Sequence, residues 1–275
     1  MRRATLAGVL LALAFPAGAF TASRPGPPPK TPIPREPARL AAALVRTTGA
    51  LRAALAGWPP ASPPPLDVTL PALYQQRIER LLSRDDRLAR AVLSRLPSML
   101  AAHVRDDVVA HRGLSRLTPP LHIESIRIAI AAPAAGLRTY YGEAQRRFGV
   151  PWSVLAAVNF VESDFGRIRS ASAAGAQGPM QFLPSTWRRY GLGGDVHDPH
   201  DAILGAANFL GAAGARRDLP GALYAYNPSR VYVDAVRRYA RWIGRDRLAF
   251  LTYYSWQLFA KTTRGERRLT GPGLR

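Results

Sequence analysis

Glu162 closes a run, residues 152–163, that is apolar on nearly every side and so reads as a helix buried within its domain. A carboxylate in the last turn of such a helix meets two adverse terms. Desolvation disfavours its charge, and the helix C-terminus adds partial negative charge. Both push the pKa of Glu162 upward, toward the range in which one group serves as acid and base near neutrality. Position alone leaves a second reading open, in which Glu162 points outward or pairs with Arg167 or Arg169.

The residues after Glu162 have the character of a site. Residues 170–180 (SASAAGAQGPM) form a small-residue loop with Gly175 and Gly178, which lets backbone approach a ligand closely and exposes amide groups. Gln181 comes next, and Pro184 opens a helix containing Trp187, which is read as core before sugar platform because it sits inside that helix. Tyr226, near the end of a further helix, is open to both readings, since a buried Tyr needs a hydroxyl partner and a cleft Tyr has one. Asp195, Asp198 and Asp201 invite a calcium reading, but their three-residue spacing and the intervening Pro199 do not follow an EF-hand loop. Asp198-Pro199-His200-Asp201 has instead the form of a helix N-cap with Pro at the first position, so no metal is expected.

These residues must be held by helices. Residues 134–148 have an amphipathic pattern carrying Tyr140 and Tyr141 and end at Gly149, and Pro151 suits the first turn of the next helix. Residues 202–214 offer the small faces Gly205, Ala206, Gly211 and Ala212, and residues 231–243 are again amphipathic. Upstream, Ile78, Leu81, Leu82, Leu88, Val92, Leu93 and Leu96 recur at helical spacing, with Arg80, Arg84, Arg87 and Arg90 expected outward. Pro97 ends that helix, a second runs over about 98–111, and Ile126, Ile128 and Ile130 alternate as an extended piece does. Residues 67–132 are therefore expected to be a helical support without chemistry. The stretch 20–66 is Pro- and Ala-rich and expected as a linker, with an extended, disordered part over 24–35 and helical potential over 38–56. The basic tail, 246–275, with Tyr253, Tyr254, Trp256 and Phe259 and a small β-hairpin about Arg264-Gly265, should pack onto the domain at 133–245. The fold class expected is mainly α.

The chain of 275 residues has no Cys, which excludes disulfides, a Cys-type zinc site and a thiol nucleophile. Its net charge of +20 points to an anionic partner. Yet the 38 basic residues are 36 Arg and 2 Lys, scattered as singles and pairs without an aromatic-studded basic stripe. A solvated surface accounts for them, and no nucleic-acid partner is expected. Residues 1–19 read as an export signal: Arg2-Arg3, an apolar stretch, then Ala17-Gly18-Ala19 as a cleavage site. Retention as an anchor is the other reading. Pro16 interrupts the run, and it falls short of the ~20 residues a span needs, so no stable membrane insertion is expected. The place expected is outside the cytoplasm, periplasmic or extracellular and wall-associated.

Four ordered motifs resemble the lytic transglycosylases. They are Glu162-Ser163-x-Phe165-Gly166; Gly175-Ala176-x-Gly178-x-Met180-Gln181-Phe182-x-Pro184-x-Thr186-Trp187; Asp198-Pro199-x-Asp201-Ala202-Ile203; and Ala225-Tyr226-Asn227 with Tyr232-Val233. Within that family the pattern is most similar to the lytic murein transglycosylase B-like group, and it covers about residues 140–243. The resemblance implies a lysozyme-like helical catalytic domain and peptidoglycan as the partner, with no cofactor. It further implies cleavage of the β-1,4 bond between N-acetylmuramic acid and N-acetylglucosamine, leaving 1,6-anhydro-N-acetylmuramic acid. It carries Glu162 over as the single acid/base, Ser163, Gln181, Tyr226 and Asn227 as cleft residues, and Met180 and Phe182 as the apolar floor. A two-carboxylate glycosidase needs a partner acid, and the sequence-local candidate, Asp164, projects toward a different helix face. A hydrolytic muramidase and a non-catalytic peptidoglycan-binding scaffold are the alternatives.

Overall fold

The computed structural model describes residues 26–274; the expected export signal lies outside the described residues. Among them are eleven α-helices and one two-stranded antiparallel sheet, so the molecule is mainly α. The helices are α1 (Pro37–Gly57), α2 (Leu66–Leu82), α3 (Asp86–Leu93), α4 (Ser98–Leu117), α5 (Ala134–Phe148), α6 (Trp152–Ser163), α7 (Pro184–Tyr190), α8 (Pro199–Ala212), α9 (Leu219–Tyr226), α10 (Arg230–Arg245) and α11 (Ala249–Ser255). The hairpin pairs β1 (Phe259–Thr262) with β2 (Gly265–Arg268), and its turn falls where Arg264-Gly265 indicated. No described helix is long and apolar enough to cross a membrane.

Local chemistry sets the helix starts. Asp85, Asp198, Asp218 and Ser229 each accept backbone N–H groups at the first turns of α3, α8, α9 and α10, satisfying donors that have no partner inside a helix. The stripe expected as one helix through Leu96 is broken for this reason. α2 ends at Leu82, and Asp85 starts α3 by accepting from the Leu88 N–H at 2.9 Å.

Two apolar clusters share the long helices. One gathers Leu40, Leu44, Ile78, Leu82, Val92 and Val104 from α1 to α4. The larger is built on α5 to α11 and also takes Leu51 and Leu55 from α1, Val68 and Ala72 from α2, and Ala110 from α4. The α1, α2 and α4 helices are thus buried at one end in each cluster. This corrects three expectations. The 20–66 stretch is no linker through its middle, because α1 buries an apolar face. The Pro-rich part is extended but tied down: the Arg77 guanidinium donates to the Pro29 and Thr31 carbonyls, both at 2.9 Å, and the Tyr74 hydroxyl to that of Pro32. Arg80 does not face outward. Its Nε donates to Glu266 of the hairpin at 3.0 Å and its guanidinium lies over the Phe259 ring.

The C-terminal residues are part of the core. Phe250, Tyr253, Tyr254 and Trp256 are buried, and Gln76 of α2 exchanges two hydrogen bonds with the backbone of Gln257. The extended piece is also present, with Ile128 bridging Ile168 just beyond α6. Within this frame α6 lies at the centre of its cluster, packed by α5, α8, α10 and α11.

Candidate active site

Val154 to Asn159 and Ser163 are all buried in α6, as an all-round apolar helix requires, whereas Glu162 is half-buried at its last turn. The outward, ion-paired alternative is not realised. Arg167 faces Asp164 and donates to the Tyr254 carbonyl, and Arg169 reaches the His197 carbonyl. Burial raises the Glu162 pKa to about 7, while the Tyr232 hydroxyl favours the charged form and draws it back down. That hydroxyl is buried near Glu162 and has no hydrogen-bond partner at normal geometry. Tyr226 and Tyr232 have their own pKa values pushed well up, first by burial and then by the nearby Glu162 charge. Among the described residues no second carboxylate acts on Glu162.

Asp164 lies on another side of the helix end. It is buried and lines a cavity of about 190 Å³ together with Gln76, His111 and Trp256, a cavity that Glu162 does not line. The two acids therefore do not flank one space.

The loop after α6 is folded into a tight turn. Gln177 and Phe182 exchange two backbone hydrogen bonds of 2.8 Å, and residues 178–181 lie between them. Gly178 has φ of +73°, and a Cβ there would stand 1.8 Å from the Val196 carbonyl oxygen. Only glycine fits that approach. Gln181 has φ of +49°, in the left-handed region that non-glycine residues seldom occupy. Its side-chain Nε2 donates back to the Gly178 carbonyl at 3.0 Å.

Side chains from two helices hold this turn. The Pro179 carbonyl accepts from Asn159 Nδ2 at 2.7 Å and from the Ser163 hydroxyl, and the Met180 carbonyl accepts from the Tyr226 hydroxyl at 2.6 Å. Ser163 Oγ in turn accepts from the Gly166 N–H at 2.8 Å. Behind Asn159, the Tyr141 hydroxyl donates to Asn159 Oδ1 at 2.6 Å.

The expected site residues thus separate into two groups. Glu162, Gln181, Tyr226 and Asn227 are half-buried, with Asn227 capping the end of α9 beside Tyr226. Ser163 and Met180 are fully buried and Phe182 nearly so. The structure therefore corrects Ser163 from a cleft residue to a tie between α6 and the turn. Met180 and Phe182 lie in the core beneath the turn rather than on an open floor. The Phe182 ring meets those of Trp187 and Tyr226 edge-on. Trp187 is core in character, its indole lying where a Cβ on Gly191 or Gly205 would collide with it. Asp198 caps α8 with 2.8 and 3.0 Å bonds to the His200 and Asp201 N–H groups, and Asp201 accepts from that of Asp195.

Sequence reasoning missed Asn159, Tyr141 and Tyr232. Asn159 carried a signal, being a polar residue inside an apolar run three positions before Glu162, on the same helix face. Tyr232 lay within a motif but was given no role.

Comparison with known proteins falls on this same region. Residues 139–247 match the family described as transglycosylase SLT domain. Over 118 residues the chain is 34% identical to the membrane-bound lytic murein transglycosylase F of Thiobacillus denitrificans, an overlap of 40% of this chain and 25% of that enzyme. The chain thus spans about a quarter of the length of that relative. The match is to an enzyme named F, whereas the motifs pointed toward the B-like group. No solved structure matches the chain.

Proposed function

We propose that this chain, whose residues 139–247 match the transglycosylase SLT domain family, is a peptidoglycan lytic transglycosylase acting outside the cytoplasm. It cleaves the β-1,4 bond between N-acetylmuramic acid and N-acetylglucosamine. The observation that carries this reading is Glu162, a lone carboxyl whose pKa is raised to about 7 by burial at the end of α6, beside two tyrosine hydroxyls.

Protonated Glu162 gives its proton to the glycosidic oxygen as the C1–O bond breaks. The carboxylate so formed, held by the Tyr232 hydroxyl, takes the proton of the C6 hydroxyl of the same muramoyl residue as that oxygen bonds to C1. Glu162 is thereby returned to its acid form, and no water, cofactor or second carboxylate enters. The internal hydroxyl has the effective-concentration advantage of an attached nucleophile. Gln181, Tyr226 and Asn227 line the sugar-binding side, and α1 to α4 support the catalytic region at 133–245.

Digestion of purified peptidoglycan followed by mass spectrometry tests this. The expected products end in 1,6-anhydro-N-acetylmuramic acid, lighter by one water than hydrolysis products and without a reducing end. Reducing-end products would replace the reading with a muramidase, and binding without products would replace it with a scaffold.

A further inference from the structure

We propose that Asn159 is a positioning residue for this reaction: from the buried face of α6 it fixes the turn at residues 178–181 against Glu162, with Tyr141 setting the orientation of its amide. The proposal rests on the transglycosylase reading of the site.

Asn159 is fully buried, and both ends of its side chain are committed. Oδ1 accepts from Tyr141, and Nδ2 donates to the Pro179 carbonyl. The reversed amide would set two acceptor oxygens against each other at Pro179, so the orientation is forced by the partners. Asn159 and Ser163 together occupy the Pro179 carbonyl, and Tyr226 occupies that of Met180. Two successive carbonyls are therefore drawn inward by three side chains. Immediately after them comes Gln181 in its left-handed conformation, which persists only where the surroundings over-determine it.

Asn159 and Glu162 lie three residues apart on one helix, so they share a face. Any slip of the turn relative to Asn159 is a slip of Gln181 relative to Glu162. An apolar side chain would fill the same space without a desolvation cost. What the polar chain from Tyr141 through Asn159 to Pro179 adds is a fixed direction and distance between helix and turn.

The test uses the full chain and its variants on purified peptidoglycan, with kcat and KM followed across pH and the melting temperature of each protein measured. Asn159→Leu should lower kcat by about 100-fold, the scale of a 1 Å misplacement, with a smaller change in KM. Asn159→Asp is the decisive variant. As a carboxylate it presents an oxygen to the Pro179 carbonyl and should be as impaired as Asn159→Leu, but once protonated it can donate and should regain activity. The ratio of its kcat to that of the wild type should therefore rise on acidification. A carboxylate at 159 also raises the pKa of Glu162 on the same face, so each profile is fitted with its own Glu162 pKa and the ratio is taken, at each pH, between the kcat values of the Glu162 acid form. A merely structural role would leave that ratio flat at temperatures well below melting. Tyr141→Phe should lose less, since both donors to Pro179 remain.

A flat ratio with kcat within about twofold of wild type in Asn159→Asp and Tyr141→Phe would overturn the proposal, even if Asn159→Leu fails to fold. A wild type that releases no product from peptidoglycan overturns the functional reading beneath it, which is a separate result.

Discussion

Glu162 must carry a proton to begin the proposed reaction, and burial is what keeps that proton in place near neutrality. With its pKa raised to about 7, kcat should fall as pH rises through about 7, because the acid form is lost. The Tyr232 hydroxyl lowers that pKa by favouring the charge, so Tyr232→Phe should move this limb to higher pH. A pH–rate profile in which the two proteins coincide would remove Tyr232 from the site. Glu162→Gln should cost about 10²- to 10⁴-fold in kcat with the fold intact. Linkage adds a sign. The folded state holds a proton between 4.5 and about 7 that the unfolded state releases, so Glu162 costs stability as pH rises through that window. The Gln variant should consequently melt higher than wild type above about pH 7, a result that calorimetry can check.

At the scale of elements, the turn after α6 depends on Gly178. Alanine there meets both a left-handed φ and the Val196 carbonyl at 1.8 Å, and should cost more than about 1 kcal/mol of stability together with activity. An unchanged melting temperature for Gly178→Ala would show that the turn gives way freely. The elements around this turn were legible because punctuating residues bound them. Pro133, Gly149 and Pro151 frame α5 and α6, and Asp198-Pro199 starts α8, so their limits agree with the sequence pattern. The four motifs likewise drew attention to Glu162, Gln181 and Tyr226. What escaped depended on contacts between distant residues. Whether Ser163 faces a cleft or a carbonyl depends on where residue 179 folds back, and Arg80 faces inward only because Glu266 comes to meet it. Periodicity carries no such information.

The molecule as a whole is held together across its N-terminal and catalytic regions, since Leu51, Leu55, Val68 and Ala72 belong to the same cluster as α6. A chain beginning at Pro133 should be less soluble or melt earlier than the full protein; equal stability would make α1 to α4 an independent module. The same junction buries two acids, Glu79 on α2 and Asp107 on α4. Their carboxyls interact with each other, and Gln75 donates to Glu79 and Tyr253 to Asp107. His103, Asp106 and Tyr239 complete the titratable groups near the pair, and burial lowers the His103 pKa to about 4, so it is neutral there. Burial raises the Glu79 pKa to about 8 and pushes Asp107 well above the usual carboxylate range. The pair therefore keeps a proton at neutral pH. In this case too the folded state binds more protons than the unfolded state. The contribution is fully present below 4.5 and is lost as pH rises through about 8. Melting temperature should thus fall as pH rises toward and past about 8, and Glu79→Gln, which donates without a proton to lose, should flatten that fall. The ring of Tyr253 stacks on Phe160, two residues before Glu162, so loosening of the pair reaches α6 directly. Wild type and Glu79→Gln melting curves that run parallel across this range would show that the two carboxyls do not share a proton.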